Sequence, residues 1–244
     1  MKAAVYAGTR NVYEDMIPSI KSLLINSDVE KIYMLIEDDI FPIELPPECE
    51  TINVSDQRWF LTNGVNYHSK WSYMILMRVV YARIFPDLDK ILSLDNDTII
   101  LEDISELWDI DLEDCYFAAV KEPGRSEEEN ILYTCIGVSL HNLKLIREHN
   151  MDEKLRRSLN NTRYIYPEQD ALNYVCVGHV KELPTEYGMA QCTAEVEHPK
   201  IMHFAATGGK WKNYDIVKYY RDIPFSEIRK EKRNEEDSDS SSDI

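Results

Sequence analysis

The chain has 244 residues, enough for one large α/β domain or two small ones, and the 44% that are hydrophobic can build a substantial core. The formal net charge of −17 argues against a nucleic-acid-binding surface, so anionic substrates must be held by local cations. The N-terminus lacks the long apolar core of a signal peptide, and no run approaches the roughly 18 apolar residues of a membrane span. We therefore expect a soluble, cytoplasmic protein.

The first third of the chain alternates apolar strands with amphipathic helices, the pattern of a doubly wound α/β unit. The predicted strands are 3–7, 31–36 and 51–54, with a helix after residue 11 and another over 69–85. The polar turn at 8–11 is suitably placed to hold a nucleotide, although it lacks GxGxxG and could be an ordinary βα loop. Arg78 lies among apolar residues of the second helix, which predicts either a bound anion or a salt bridge with a carboxylate at the core edge.

A pair of carboxylates follows the next predicted strand, which ends at Leu94. Asp-x-Asp occurs four times in the chain, but only Asp95 and Asp97 close an apolar strand. Carboxylate oxygens suit Mg²⁺ or Mn²⁺, and open α/β sheets bind ligands at the carboxyl ends of their strands. The alternative is that Asp95, Asn96 and Asp97 only form a turn.

The second half of the chain continues the alternation. Further strands are predicted at 116–120, 131–140 and 200–204, helices at 142–149, 152–160, from Pro167, 213–221 and 226–233, and a charged loop at 125–130. Gly137, inside a predicted strand, suggests close approach of a ligand or another backbone. His203 ends the last strand and precedes Gly208, Gly209 and Lys210, a fair phosphate cradle. A packed histidine is the alternative for His203, and favourable helix-dipole placement for Glu168 and Asp170.

Five cysteines are scattered along the chain and form no CxxC pair: Cys49, Cys115, Cys135, Cys176 and Cys192. In a cytoplasmic protein this pattern predicts reduced thiols rather than disulfides. The spacing also argues against a zinc site.

The C-terminal residues differ in composition from the rest. Residues 234–244 are acidic and serine-rich, and we expect them to be disordered. The basic residues just before them could make at most peripheral contact with an anionic membrane, and a solvated helix face is the favoured interpretation.

Segments of the chain, in order, resemble the motifs of retaining glycosyltransferases of family 8, which include glycogenin and bacterial lipooligosaccharide galactosyltransferases. The similarity covers roughly residues 2–220. It rests on the turn after the first strand, Arg78, DKILSLDNDTII at 89–100, YTCIGVSLHNLK at 133–144, PEQD at 167–170, and His203-Phe204 with Lys210-Trp211.

The resemblance implies a single α/β domain of GT-A type, a Rossmann-like mixed sheet flanked by helices. Its catalytic domain would span 1–222, followed by a C-terminal helix at 223–233 and the tail at 234–244. It also implies Mn²⁺, with Mg²⁺ as the alternative, held by Asp95, Asp97 and His203. The nucleotide-sugar would be bound by Ala7, Thr9, Tyr13, Arg78, Asn96, Cys135, Gly208 and Lys210, and the catalytic candidates are Glu122, Glu168 and Gln169.

The implied reaction moves a hexose, glucose or galactose, from a UDP-hexose to a hydroxyl of a glycan, glycolipid or protein with retention of configuration. Three departures bear on the sugar pocket and the phosphate loop. Cys135 stands where the family has an asparagine that meets the donor sugar, and the element ending in Lys210-Trp211 lacks a proline and is one residue longer. Two other functions remain open: a non-catalytic nucleotide-sugar-binding protein, and a haloacid-dehalogenase-type phosphatase with Asp95 as nucleophile.

Overall fold

The structure, a computed structural model, describes residues 1–228. The predicted tail at 234–244 and residues 229–233 of the predicted C-terminal helix, which include its basic residues, lie outside the described residues. Of the described part of that helix, residues 225–228 are helical. In the described part of the chain, no helix is long and apolar enough to cross a membrane.

Most of the strands form one mixed sheet. The strands of residues 1–228 are β1 (Ala3–Ala7), β2 (Lys31–Ile36), β3 (Cys49–Asn53), β4 (Lys90–Leu94), β5 (Thr98–Ile100), β6 (Phe117–Lys121), β7 (Thr134–Asn142), β8 (Val180–Leu183) and β9 (Ile201–His203). The sheet has seven strands in the order β3-β2-β1-β4-β7-β6-β8, and β5 and β9 form a separate antiparallel pair. Strands β3, β2, β1 and β4 run parallel to one another, and β7 is antiparallel to both its neighbours, β4 and β6.

Helices cover both faces of this sheet. They are α1 (Tyr13–Ile25), α2 (Tyr81–Ile84), α3 (Pro123–Glu129), α4 (Leu143–Glu148), α5 (Met151–Asn161), α6 (Pro167–Val175) and α7 (Asp215–Asp222). One apolar core contains residues of α2, α4, α5 and α6, and a second contains the buried face of α1. The predicted mixed sheet flanked by helices is therefore confirmed.

Three predictions about elements were wrong or incomplete. The segment predicted as a charged loop at 125–130 is mostly α3, which Pro123 begins and which Ser126 holds by hydrogen bonds with the backbone of Tyr133. The helix predicted over 69–85 begins only at Tyr73, as a 3₁₀ helix that continues into α2, because Ser72 is extended and accepts a hydrogen bond from the Met74 amide. Strand β8 was not predicted, since it has only four residues and three are partly or fully exposed.

The topology brings distant residues to the carboxyl end of β4. The chain leaves β4 at Asp95, whose amide donates to the Gly137 carbonyl of β7 (2.8 Å). It then enters β5, where Thr98 pairs with His203 of β9. The Phe204 amide donates to the Asp97 carbonyl (2.9 Å), so the β5–β9 pair fixes His203 beside the two aspartates.

His141, a buried histidine on β7, should make the stability of the fold depend on pH. Burial and the charge of Arg78 lower the pKa of His141 from 6.5 to about 3, so folding favours its neutral form. The unfolded chain binds the proton first as the pH falls, and the free energy of unfolding should drop by about 2 kcal/mol between about pH 7 and pH 5 from this group.

Urea unfolding of the wild type and of His141→Gln at both pH values measures this contribution. The variant should have the shallower pH dependence, whereas the exposed control His198→Gln should keep that of the wild type. Equal pH dependence in all three proteins would contradict the assignment.

Candidate active site

A cavity of about 630 Å³ opens at the carboxyl ends of β1 and β4. Most of the predicted site residues line it: Ala7, Thr9, Arg78, Asp95, Asn96, Asp97, Glu122, Cys135, Glu168, Gln169 and His203. Tyr13, Gly208 and Lys210 are not among its lining residues. This position is where parallel α/β sheets bind their ligands.

Two carboxylates and an imidazole meet in the cavity. One ligand atom from each of Asp95, Asp97 and His203 lies within 4.8 Å of the others. The His203 Nε2 atom is 3.4 Å from an oxygen of each aspartate. Burial alone would lower the pKa of His203, but the charges of Asp97 and Asp95 outweigh it and raise this pKa to about 10. The cluster is thus a concentration of negative charge that favours a cation.

Arg78 is buried in the wall of the cavity with its side chain 6% exposed. Its guanidinium forms ion pairs with Asp95 and with Glu168 (3.2 Å), and its Nε donates to Ser93 Oγ (3.1 Å). The structure therefore supports the salt-bridge interpretation of this residue. Burial opposes the charged form of Asp95, but Arg78 and His203 hold its pKa below the usual range.

Glu168 lies in the first turn of α6 and is also buried. Burial raises the pKa of Glu168 to about 7, although the neighbouring Arg78 charge acts in the opposite direction. The neighbouring Asp170 has a structural role, because its carboxylate accepts from the backbone amides of Ile165 (3.1 Å) and Tyr166 (2.8 Å). Its other oxygen accepts from the Tyr133 hydroxyl (2.5 Å).

Gln169 is held in one orientation on the same side of the cavity. Its Nε2 donates to Glu122 (2.9 Å), and its Oε1 accepts from the Ile136 amide (3.4 Å). Burial raises the pKa of Glu122. Glu122 and Gln169 therefore act as a hydrogen-bonded pair, and Cys135 lies beside them in the cavity.

The turn after β1 carries the predicted nucleoside-binding residues. Asn96 Nδ2 donates to the Ala7 carbonyl (3.3 Å), and among the described residues its buried Oδ1 has no hydrogen-bond partner. This leaves an acceptor for a ligand in the cavity. Tyr13 lies outside, where its hydroxyl donates to Asp38 (3.0 Å) and accepts from the Glu37 amide (2.9 Å).

The loop after β9 lines the cavity, but with residues that were not predicted to do so. Ala205, Ala206 and Trp211 line it, whereas Lys210 is exposed at the start of a 3₁₀ helix. The two glycines before Lys210 both have positive φ values, 60° and 83°, which other residues rarely adopt. Gly208 and Gly209 thus shape the turn that carries Trp211 to the cavity.

The sequence interpretation missed several lining residues, among them Lys70, Trp71, Arg125, Tyr166 and Cys192. The Lys70 ammonium lies 4.1 Å from the centre of the Trp71 ring, and the Arg125 guanidinium 4.2 Å from that of Tyr133. Adjacent Lys70 and Trp71, just before a helix, could have been noted as a cation beside an aromatic ring. Nothing local indicated Cys192, which comes close to Cys135 only in the fold.

Known proteins resemble this chain over much of its length. General stress protein A of Bacillus subtilis (strain 168) is 29% identical over 185 residues, which cover 62% of this chain and 64% of that protein. Lipopolysaccharide 1,2-glucosyltransferase of Escherichia coli (strain K12) is 26% identical over 179 residues, covering 59% and 53%. The chain therefore spans less than two thirds of the length of either relative.

Solved structures share the fold at lower identity. The glycosyltransferase GlyE of Streptococcus pneumoniae TIGR4 superposes with a TM-score of 0.73 at 21% identity, covering 96% of this chain and 64% of that one. The galactosyltransferase LgtC, solved with donor and acceptor sugar analogues, gives 0.69 at 18% identity, covering 92% and 98%. The predicted GT-A fold is thus confirmed. A sequence model of the family described as glycosyl transferase family 8 matches residues 6–214, and the chain belongs to that family.

Proposed function

We propose that this protein transfers a hexose, glucose or galactose, from a UDP-sugar to an acceptor hydroxyl, with retention of configuration and with the help of a divalent ion. The observation that carries the proposal is the meeting of Asp95, Asp97 and His203 in a cavity of about 630 Å³. Family membership and the names of two similar proteins, a glucosyltransferase and a galactosyltransferase, support hexosyl transfer.

The chemistry of the donor set fits a divalent ion. Two carboxylates and one imidazole lie within reach of a single ion, and oxygen ligands with one nitrogen suit Mn²⁺, with Mg²⁺ second. A bound ion would neutralise charge on the diphosphate leaving group as a Lewis acid. Without it, the repulsion of a diphosphate by Asp95 and Asp97 would oppose donor binding.

Gly137 is needed for His203 to occupy its position in this set. A Cβ atom at residue 137 would lie 2.6 Å from both ring nitrogens of His203, closer than real contacts allow. The imidazole therefore packs directly on the backbone of β7.

The donor is held by contacts on both sides of the carboxylates. Asn96 offers its free acceptor beside Ala7 and Thr9, the residues we propose for the nucleoside. Arg78 acts as a positioning residue, because it fixes Asp95 and Glu168 through ion pairs. On the family resemblance we keep Tyr13, Gly208 and Lys210 as secondary candidates that would contact the donor only after movement.

The environment of Glu168 and Gln169 favours substitution on one face of the sugar. Glu168 is committed to the buried Arg78, and Gln169 is a neutral amide, so neither is a good nucleophile for a covalent intermediate. We propose that the acceptor hydroxyl gives its proton to the departing phosphate oxygen on the same face. Glu122 and Gln169 would orient the sugar, with Cys135 beside them.

The acceptor is a glycan, a glycolipid or a protein. Trp71 and Tyr166 line the cavity with ring centres 5.5 Å apart, and aromatic faces of this kind can stack on an acceptor sugar. A second function, nucleotide-sugar binding without transfer, is favoured by Cys135 and by the exposed Lys210. The phosphatase alternative has no comparable support, because Asp95 is engaged by both Arg78 and His203.

Calorimetric titration of UDP with and without Mn²⁺ tests the proposed function. Asp97→Ala should weaken Mn²⁺-dependent UDP binding by more than about tenfold, because it removes a ligand. Asp109→Ala, in another Asp-x-Asp pair and outside the cavity lining, should bind as the wild type does. A UDP affinity that changes neither with Mn²⁺ nor with Asp97→Ala would contradict the proposal. Binding without turnover of UDP-glucose or UDP-galactose would favour the non-catalytic function.

Gly137→Ala tests the position of His203. The added methyl group should displace the imidazole and weaken Mn²⁺ binding, measured by electron paramagnetic resonance, by about tenfold or more. Gly124→Ala is the matched control, because nothing lies within 4 Å of a Cβ at that position. Equal Mn²⁺ affinity in the two variants would show that the ring does not contribute a ligand.

Glu168→Gln tests the same-face reaction. The variant should keep UDP binding and measurable transfer, with a rate lowered by about 10- to 100-fold because Arg78 loses one anionic partner. Abolished transfer with intact UDP binding, together with a wild-type glycosyl adduct on Glu168 by mass spectrometry, would support a covalent intermediate instead. Single-turnover transfer and intact-protein mass are the measurements.

A further inference from the structure

A second group of potential ligands lies on the other side of His203. One ligand atom from each of Glu122, Cys135 and Cys192 lies within 4.8 Å of the others. Glu122 directly follows β6, Cys135 belongs to β7, and Cys192 comes from the loop before β9. Only the fold brings the two thiols together, 57 positions apart in the sequence.

His203 separates two sets of ligands with different chemistry. Its Nε2 atom faces the oxygens of Asp95 and Asp97, whereas its Nδ1 atom lies 3.5 Å from the sulfur of Cys135. Carboxylates prefer hard ions such as Mn²⁺ and Mg²⁺, and thiolates prefer soft or borderline ions such as Zn²⁺. The second set therefore selects a different class of ion from the first.

The second set is also built for binding. Glu122 is 8% and Cys135 is 5% exposed, while Cys192 lies in a more exposed loop that an ion can reach. The Gln169 amide donates to Oε1 of Glu122 and so orients the carboxylate. All three side chains line the large cavity, which leaves a fourth position for water. Three protein ligands and one open position are a common arrangement for Zn²⁺.

We propose that Glu122, Cys135 and Cys192 form a binding site for a thiophilic divalent ion, foremost Zn²⁺, distinct from the site of Asp95, Asp97 and His203. The binding does not depend on the proposed transferase activity. An ion held here lies against Glu122 and Gln169, and on the proposed function it would compete with the donor sugar for that side of the cavity.

Titration of the reduced, metal-free full chain with Co²⁺, a spectroscopic substitute for Zn²⁺, tests the site. We expect a thiolate-to-cobalt charge-transfer band in the ultraviolet and the visible bands of tetrahedral cobalt, both removed by one equivalent of Zn²⁺. Cys192→Ser should weaken Co²⁺ binding by more than about tenfold and reduce the charge-transfer band. Cys115→Ser, which removes a thiol outside the cavity lining, should leave the spectrum unchanged.

Asp97→Ala separates this site from the first one. It should keep the charge-transfer band while losing Mn²⁺ binding, so that failure of the proposed function and failure of the thiolate site give different results. Cobalt binding without a charge-transfer band, or a band that survives Cys192→Ser, would overturn the proposal.

Alkylation of the wild type provides a measurement that needs no variant. Zn²⁺ should slow the reaction of Cys192 with iodoacetamide by about tenfold or more, mapped by peptide mass spectrometry, and should leave Cys115 unaffected. An unchanged rate at Cys192 in the presence of saturating Zn²⁺ would also overturn the proposal.

Discussion

The site depends on one buried cation. Arg78 has two carboxylate partners, Asp95 at the end of β4 and Glu168 in the first turn of α6, and it also donates to Ser93 within β4. Loss of one partner from a buried ion pair costs about 3–5 kcal/mol, because the remaining charge stays out of water. The guanidinium therefore links α6 to the sheet through Glu168. It also fixes Asp95, which belongs both to the ion pair and to the candidate metal site.

The second constraint is the short antiparallel pair of β5 and β9. It places His203 opposite Thr98 and so beside Asp97, although the two lie more than a hundred positions apart in sequence. The imidazole then packs on the backbone at Gly137, where any side chain would collide with the ring. The cluster of Asp95, Asp97 and His203 therefore depends on the pairing of β5 with β9 and on the missing Cβ atom of Gly137, as well as on the ligands themselves.

These constraints explain what sequence could and could not predict. Asp95 and Asp97 could be identified from the sequence because an apolar strand followed by carboxylates is a local pattern. The resemblance placed Tyr13 among the residues that bind the nucleotide-sugar, but sequence could not show that its hydroxyl meets Asp38 rather than the cavity. Likewise, the two glycines and Lys210 indicated a phosphate cradle, yet only the fold shows that this turn directs Trp211 to the cavity. The pairing of Cys135 with Cys192 has no local signature at all.

Cys135 changes the surroundings of His203 in a way that links the two sets of ligands. When Nε2 of a neutral imidazole binds an ion, the proton resides on Nδ1, which here faces the Cys135 sulfur at 3.5 Å. The family resemblance implies an asparagine at this position, which would present an amide instead. With an ion on Nε2, the polarisable sulfur of Cys135 would accept that hydrogen bond, and the same sulfur is available to a thiophilic ion together with Cys192. Cys135, the residue at which this chain departs from the pattern that the resemblance implies, thus also supplies a ligand of the proposed second site.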